Sequence, residues 1–191
     1  AGATTVRELP ANMSKTEAIG ADGGGEFMKA NLNGMHVIGF RVKMGSWGGK
    51  KCLRTVEPLY VKPATKPEKD EADYLARDGF AVAGIWVNAD NSSVTAMRII
   101  FQKKTDKGLV ETDAYVSPWV GEPHGPTRER VGCNGKLVSG TFGRQGLNVA
   151  RLGLVMHEPD PTDDPNAGGS KPSRAPVDPT DDPNFKGPEK K

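Results

Sequence analysis

The chain has little of what most function classes require. It carries only two cysteines, Cys52 and Cys133, and they belong to no CxxC metal or redox pair. Aromatic residues make up 6% of the 191 residues. No apolar run approaches the roughly 20 residues of a membrane span. The three histidines, His36, His124 and His157, show no HExxH or paired spacing, so neither a metal nor a cofactor is expected. GxSxG, P-loop and dinucleotide fingerprints are all missing. No constellation of residues supports catalysis, and the expectation is a protein that is not an enzyme. The formal net charge is +2, too small to point to nucleic acid.

Turn formers are abundant instead: 24 glycines and 15 prolines, a composition suited to short strands separated by turns. They are unevenly spread. Eight of the prolines fall from Pro159 onward, where DPTDDPN occurs twice, at Asp160 to Asn166 and at Asp178 to Asn184. From Glu158 there are eight acidic and five basic residues; the remaining 16 acidic and 21 basic residues give the rest a net charge of +5. So little apolar surface does not offset the entropy of ordering such a segment. Residues 158–191 therefore read as an extended or disordered acidic tail, a solvated linker or a segment that orders on a partner. Asp163, Asp164, Asp181 and Asp182 lack the spacing of a calcium loop. Residues 1–18 read as a polar arm with a short strand around Thr4 to Leu9. The opening Ala1-Gly2-Ala3 reads as a chain trimmed or released from a leader, which points to a secreted, cell-surface or periplasmic protein.

Between arm and tail, residues 19–157 contain a pattern that occurs three times: VIGFRV (Val37 to Val42), VAGIWV (Val82 to Val87) and VSGTFG (Val138 to Gly143). Each is followed by a loop and a second apolar segment, LRTVEPLYV (Leu53 to Val61), VTAMRIIFQ (Val94 to Gln102) and VARLGLVMH (Val149 to His157). The second segments align without gaps, so that Leu53, Val94 and Val149 correspond. The next sets are Val56, Met97 and Leu152, then Leu59, Ile100 and Val155. β-Branched content, brevity and glycine punctuation predict strands, and Pro58 is tolerable only at an edge or bulge. Three hairpins with one apolar face each predict an all-β body of approximate threefold symmetry. Lys62 to Asp73, with Pro63 and Pro67, reads as an exposed connection. Ala114 to Val120 reads as strand-like and Gly121 to Arg130 as a loop.

The repeat, the GGGEF run (Gly23 to Phe27) and TFGRQGLNVARLGLV (Thr141 to Val155) resemble the β-prism of jacalin-related lectins. The body, with YVSPWVG (Tyr115 to Gly121), also resembles secreted repeat domains of planctomycete bacteria. The first resemblance implies a carbohydrate-binding module whose glycine-rich segment meets the last repeat's loop. It places the candidate site at Gly23, Gly24, Gly25, Gly143, Arg144, Gln145, Gly146, Leu147 and Asn148. Its characteristic aspartate would stand at Ala150, matched by Arg54 and Thr95 in the other repeats. None of the three is acidic, which leaves Asn148 or Asp90 as loop acceptors.

Trp47, between small residues, is either a stacking platform or a satellite core residue. Trp86 is expected to point out of the core, and Trp119 to pack beneath the last loop. Asn88 to Ser93 reads as a hairpin loop. Cys52 and Cys133 either form one disulfide or remain two thiols. The expected partner is a glycan or, in the alternative reading, a protein assembly in which this chain is a structural subunit docking through its prism surface and its tail.

Overall fold

The computed structural model describes residues 8–159. The tail from residue 160, its duplicated motif, and most of the strand expected around Thr4 to Leu9 lie outside the described residues. Glu8 and Leu9 are not in a strand. The described residues are all β, with thirteen strands in chain order: β1 Met13–Lys15, β2 Ile19–Gly20, β3 Gly25–Ala30, β4 Gly39–Trp47, β5 Lys50–Leu59, β6 Glu71–Leu75, β7 Phe80–Ala89, β8 Val94–Thr105, β9 Gly108–Val116, β10 Val120–Gly121, β11 Thr127–Gly132, β12 Leu137–Gln145 and β13 Val149–His157.

They form three sheets, each built on one repeat. The hairpin β4–β5 gains β6 beside β4. The hairpin β7–β8 gains β11 beside β7, with β9 and β10 on β8. The hairpin β12–β13 gains β3 beside β12, with β1 and β2 on β13. The arm is thus partly strand: Met13 to Lys15 pair with His157 to Val155. Each sheet turns its apolar face inward, and Phe40, Leu53, Val56, Ile85, Met97, Ile99, Leu152 and Leu154 make one buried core. Side chains of this size stabilise the fold by roughly 1.5–3 kcal/mol each on full burial. The architecture is a β-prism.

The three hairpins share one register. Gly39 faces Leu59, Gly84 faces Ile100 and Gly140 faces Val155, so the gapless alignment of the second segments is reproduced in space. The three glycines also share one reason. A Cβ would lie 2.1 Å from the Tyr74 carbonyl at Gly39, 2.6 Å from that of Val131 at Gly84 and 2.1 Å from that of Lys29 at Gly140. The neighbouring strand approaches too closely for any side chain. The valine two residues earlier is fully buried in each repeat. The Val37 amide donates to the Val138 carbonyl (2.7 Å) and the Val82 amide to the Val37 carbonyl (3.1 Å), which ties the repeats together.

Each hairpin carries a second shared irregularity near its loop. Lys43 pairs with Thr55 and Met44 with Leu53, leaving Arg54 unmatched. Asn88 pairs with Ala96 and Ala89 with Val94, leaving Thr95 unmatched. Arg144 pairs with Arg151 and Gln145 with Val149, leaving Ala150 unmatched. A bulge bends the strand and re-aims a side chain at the sheet rim. Pro58 lies on the edge strand β5, as its missing amide requires. Thr127–Gly132 is strand β11 where the sequence suggested a loop; its polar residues are consistent with a sheet edge, and Asn88 anchors the turn before it.

Candidate functional site

The three hairpin loops end at the same pole of the prism, and the glycine run joins them there. Together they line an open cleft of about 380 Å³. Trp47 comes from the first repeat and Asn91, Ser92 and Ser93 from the second. Gly146, Leu147, Asn148 and the bulged Ala150 come from the third; Ala21, Asp22, Gly23 and Gly24 come from the segment between β2 and β3.

The first loop is a two-residue turn, Gly48 and Gly49, both with positive φ (59° and 79°), as a tight turn matched to strand twist needs. It leaves Trp47 at the rim, 59% exposed, and Leu147 stands at the rim from the third loop, 62% exposed. Trp47 is therefore a rim residue and not a core residue. In the second loop the Asp90 carboxylate accepts from the Ser92 and Ser93 amides, both at 2.8 Å, and from the Ser92 hydroxyl at 2.9 Å. Burial alone would push its pKa up, but these donors and nearby His124 outweigh burial and hold it below the ordinary carboxylate value. Asp90 thus organises its own loop and is not in the cleft lining.

Among the expected site residues, the structure brings Gly23, Gly24, Gly146, Leu147 and Asn148 into the lining with Trp47. Gly24 is required by contact. With φ +74, its Cβ would sit 2.4 Å from the Gln145 carbonyl carbon and 2.5 Å from the Gly146 nitrogen. Gly25 begins β3 with open space around it. Gly143 lies inside the sheet opposite Leu152, with no room for a Cβ beside the Arg151 carbonyl. Arg144 and Gln145 act from behind the cleft. Arg144 donates to the carbonyls of Asp22 (2.9 Å) and Gly24 (2.8 Å), and Gln145 donates to that of Arg54 (3.1 Å). Asn148 is 8% exposed, and its Nδ2 donates to the Ser46 carbonyl at 3.3 Å, joining the third loop to the first.

Sequence reasoning gave no role to Ala21 or Asp22 and read Asn91 to Ser93 as a plain hairpin loop. The signal was the threefold pattern, which implies that equivalent loops meet at one end. Asn88 is a buried strand residue, not part of the loop. Trp86 is partly exposed between buried Ile85 and Val87, and Trp119 packs against Arg128 of β11.

The two cysteines are free thiols, so the disulfide is not formed. Cys52 stands near the loop end of β5, and Cys133 follows β11 beside Gly84 near the opposite end of the prism. Burial raises both thiol pKa values, in Cys52 against a hydrogen bond with Ser93. Among the described residues no group of three His, Cys, Asp or Glu is placed to hold a metal, and no helix is long and apolar enough to cross a membrane.

No protein-family model matches the chain, and no curated protein is similar to it in sequence. Solved structures are similar in fold. A prostate-specific glycoprotein lectin superposes with a TM-score of 0.53 at 15% identity, covering 77% of this chain and 100% of that one. The lamprey immune protein gives 0.51 at 13%, covering 78% of this chain and 46% of its own. A mannose-specific jacalin-related lectin from Morus nigra, in complex with mannose, gives 0.50 at 13%, covering 82% and 99%. The body of this chain has the β-prism fold of jacalin-related lectins.

Proposed function

We propose that the cleft binds a carbohydrate and that the chain is a lectin-like module. The observation that carries this reading is the convergence of all three hairpin loops and the glycine run on one cleft rimmed by Trp47 and Leu147. A sugar has many hydroxyls around an apolar C–H face. Glycine backbone and the Asn and Ser side chains answer the first, and an exposed indole answers the second. The mannose complex of a lectin with the same fold supports the choice of ligand class. A secreted or surface location accords with a ligand of that kind. The alternative, an assembly subunit docking through its prism surface and its tail, rests in part on residues 160–191, which lie outside the described residues.

The test is a glycan array probed with the full chain and with Trp47→Ala. Selective binding that weakens about tenfold or more in the variant supports the reading, since stacking on an aromatic face contributes about 1–2 kcal/mol. A blank array with the wild-type chain sinks it.

A further inference from the structure

Asp22 is the one acidic or basic side chain in the lining of the cleft among the described residues. It is held from two directions. Arg144 donates from Nε to its carbonyl at 2.9 Å, and Arg151 pairs with its carboxylate Oδ1 at 2.6 Å. These two arginines face each other across β12 and β13, so a single rung of the last hairpin grips both the backbone and the side chain of Asp22. Its side chain is nevertheless 87% exposed. A carboxylate accepts at roughly four lone-pair positions, so one ion pair leaves acceptor capacity at the cleft. Both guanidinium groups are directed at the glycine segment, and neither arginine is in the lining. Next to Asp22 in the lining, the bulged Ala150 offers only a methyl group.

Resting on the carbohydrate reading above, we propose that Asp22 is the specificity-determining acceptor of the cleft. It takes the hydroxyls of neutral sugars or the ammonium of amino sugars, and it turns away acidic sugars. An anionic sugar would meet a carboxylate of like charge and no cation in the lining, so its own charge would lose water without gaining a partner. The same carboxylate forms charge-assisted hydrogen bonds with hydroxyl or ammonium donors.

The experiment compares the full-length wild type, Asp22→Ala and Asp22→Asn on one array. The array carries neutral hexoses including mannose, glucosamine with a free amine, and uronic and sialic acids. A thermal melt of each variant checks folding. The expected result is wild-type binding confined to neutral and amino sugars and reduced about tenfold or more by Asp22→Ala. Asp22→Asn keeps an acceptor, so it retains neutral binding better than Asp22→Ala, loses any preference for the free amine and admits acidic sugars. Wild-type binding of acidic sugars equal to that of neutral ones overturns the proposal, as does unchanged binding by a folded Asp22→Ala; in both outcomes the glycan reading stands. A wild type that binds no sugar removes that reading and this proposal together.

Discussion

Arg144 reaches the carbonyl of Asp22 at 2.9 Å across 122 positions of chain, and a second bond of 2.8 Å takes it to Gly24. Together with the ion pair of Arg151 with Asp22, this side chain holds the glycine run against the last loop. Replacing it with methionine keeps the stem and removes both bonds. Because the group is partly solvated, the expected loss of stability is only about 1–2 kcal/mol. The larger effect should be faster amide exchange at Gly23 to Gly25, read by hydrogen exchange. Unchanged exchange there would refute the clamp.

The glycines of the run are not equivalent. Gly24→Ala forces a side chain into the Gln145–Gly146 backbone at a left-handed φ. It should cost about 2–4 kcal/mol or displace the segment, since φ strain alone amounts to about 1–2 kcal/mol. Gly25→Ala enters open space and should stay within about 0.5 kcal/mol of wild type. Paired urea titrations of the two variants distinguish them.

Asn88 is fully buried and fully used. Its amide donates to the Gly125 and Thr127 carbonyls, and its Oδ1 accepts from the Thr95 hydroxyl and the Gly125 amide. Asn88→Ala strands several buried groups at once, and a loss of about 3 kcal/mol is expected. The melting temperature measures it. A drop smaller than that of a typical surface variant would show that this network does not hold the turn before β11.

Asp90 gives an acid dependence with a definite sign. Its folded-state pKa is lowered, so the unfolded chain takes up this proton first as pH falls. The stabilisation is complete above the unfolded value of about 4 and disappears as pH falls through the lower folded value. The stability gap between wild type and Asp90→Ala should therefore be full at neutral pH and narrow on acidification below pH about 4. Urea midpoints measured across that range test this, and a constant gap contradicts it.

Both thiols are free and shifted upward by burial, so the native protein should react slowly with a thiol reagent. Cys52 is 1% exposed and should be the slower of the two. Reduction should leave the melting temperature unchanged. A clear drop on reduction would demonstrate a bond between Cys52 and Cys133.

Much of the fold was legible because the repeats carry their constraint in the residues themselves. Gly39, Gly84 and Gly140 mark the same close backbone approach, and Leu59, Ile100 and Val155 face them in the same register. The outer strands were harder to read. β11 (TRERVG) is a polar edge with no alternating face, and β3 takes its place from pairing with β12 rather than from its own pattern. At the site, the glycine run and the last loop were legible through turn chemistry and resemblance. The placing of Asp22 was not, because it depends on Arg144 and Arg151, two residues whose partners lie far away in sequence. Whether Trp47 stands at the rim or in the core depends on a turn geometry that Gly48 and Gly49 permit but do not dictate.

The pairing of β3 with β12 and of β1 with β13 has a consequence for biosynthesis. On the ribosome, the glycine segment emerges early and has nothing to rest on until the final hairpin is made. Contacts of such long sequence separation form late and slowly. A nascent chain that stops before β13 has two complete hairpins and no cleft, so the proposed sugar binding, if present, would begin only once the last hairpin of the body is made.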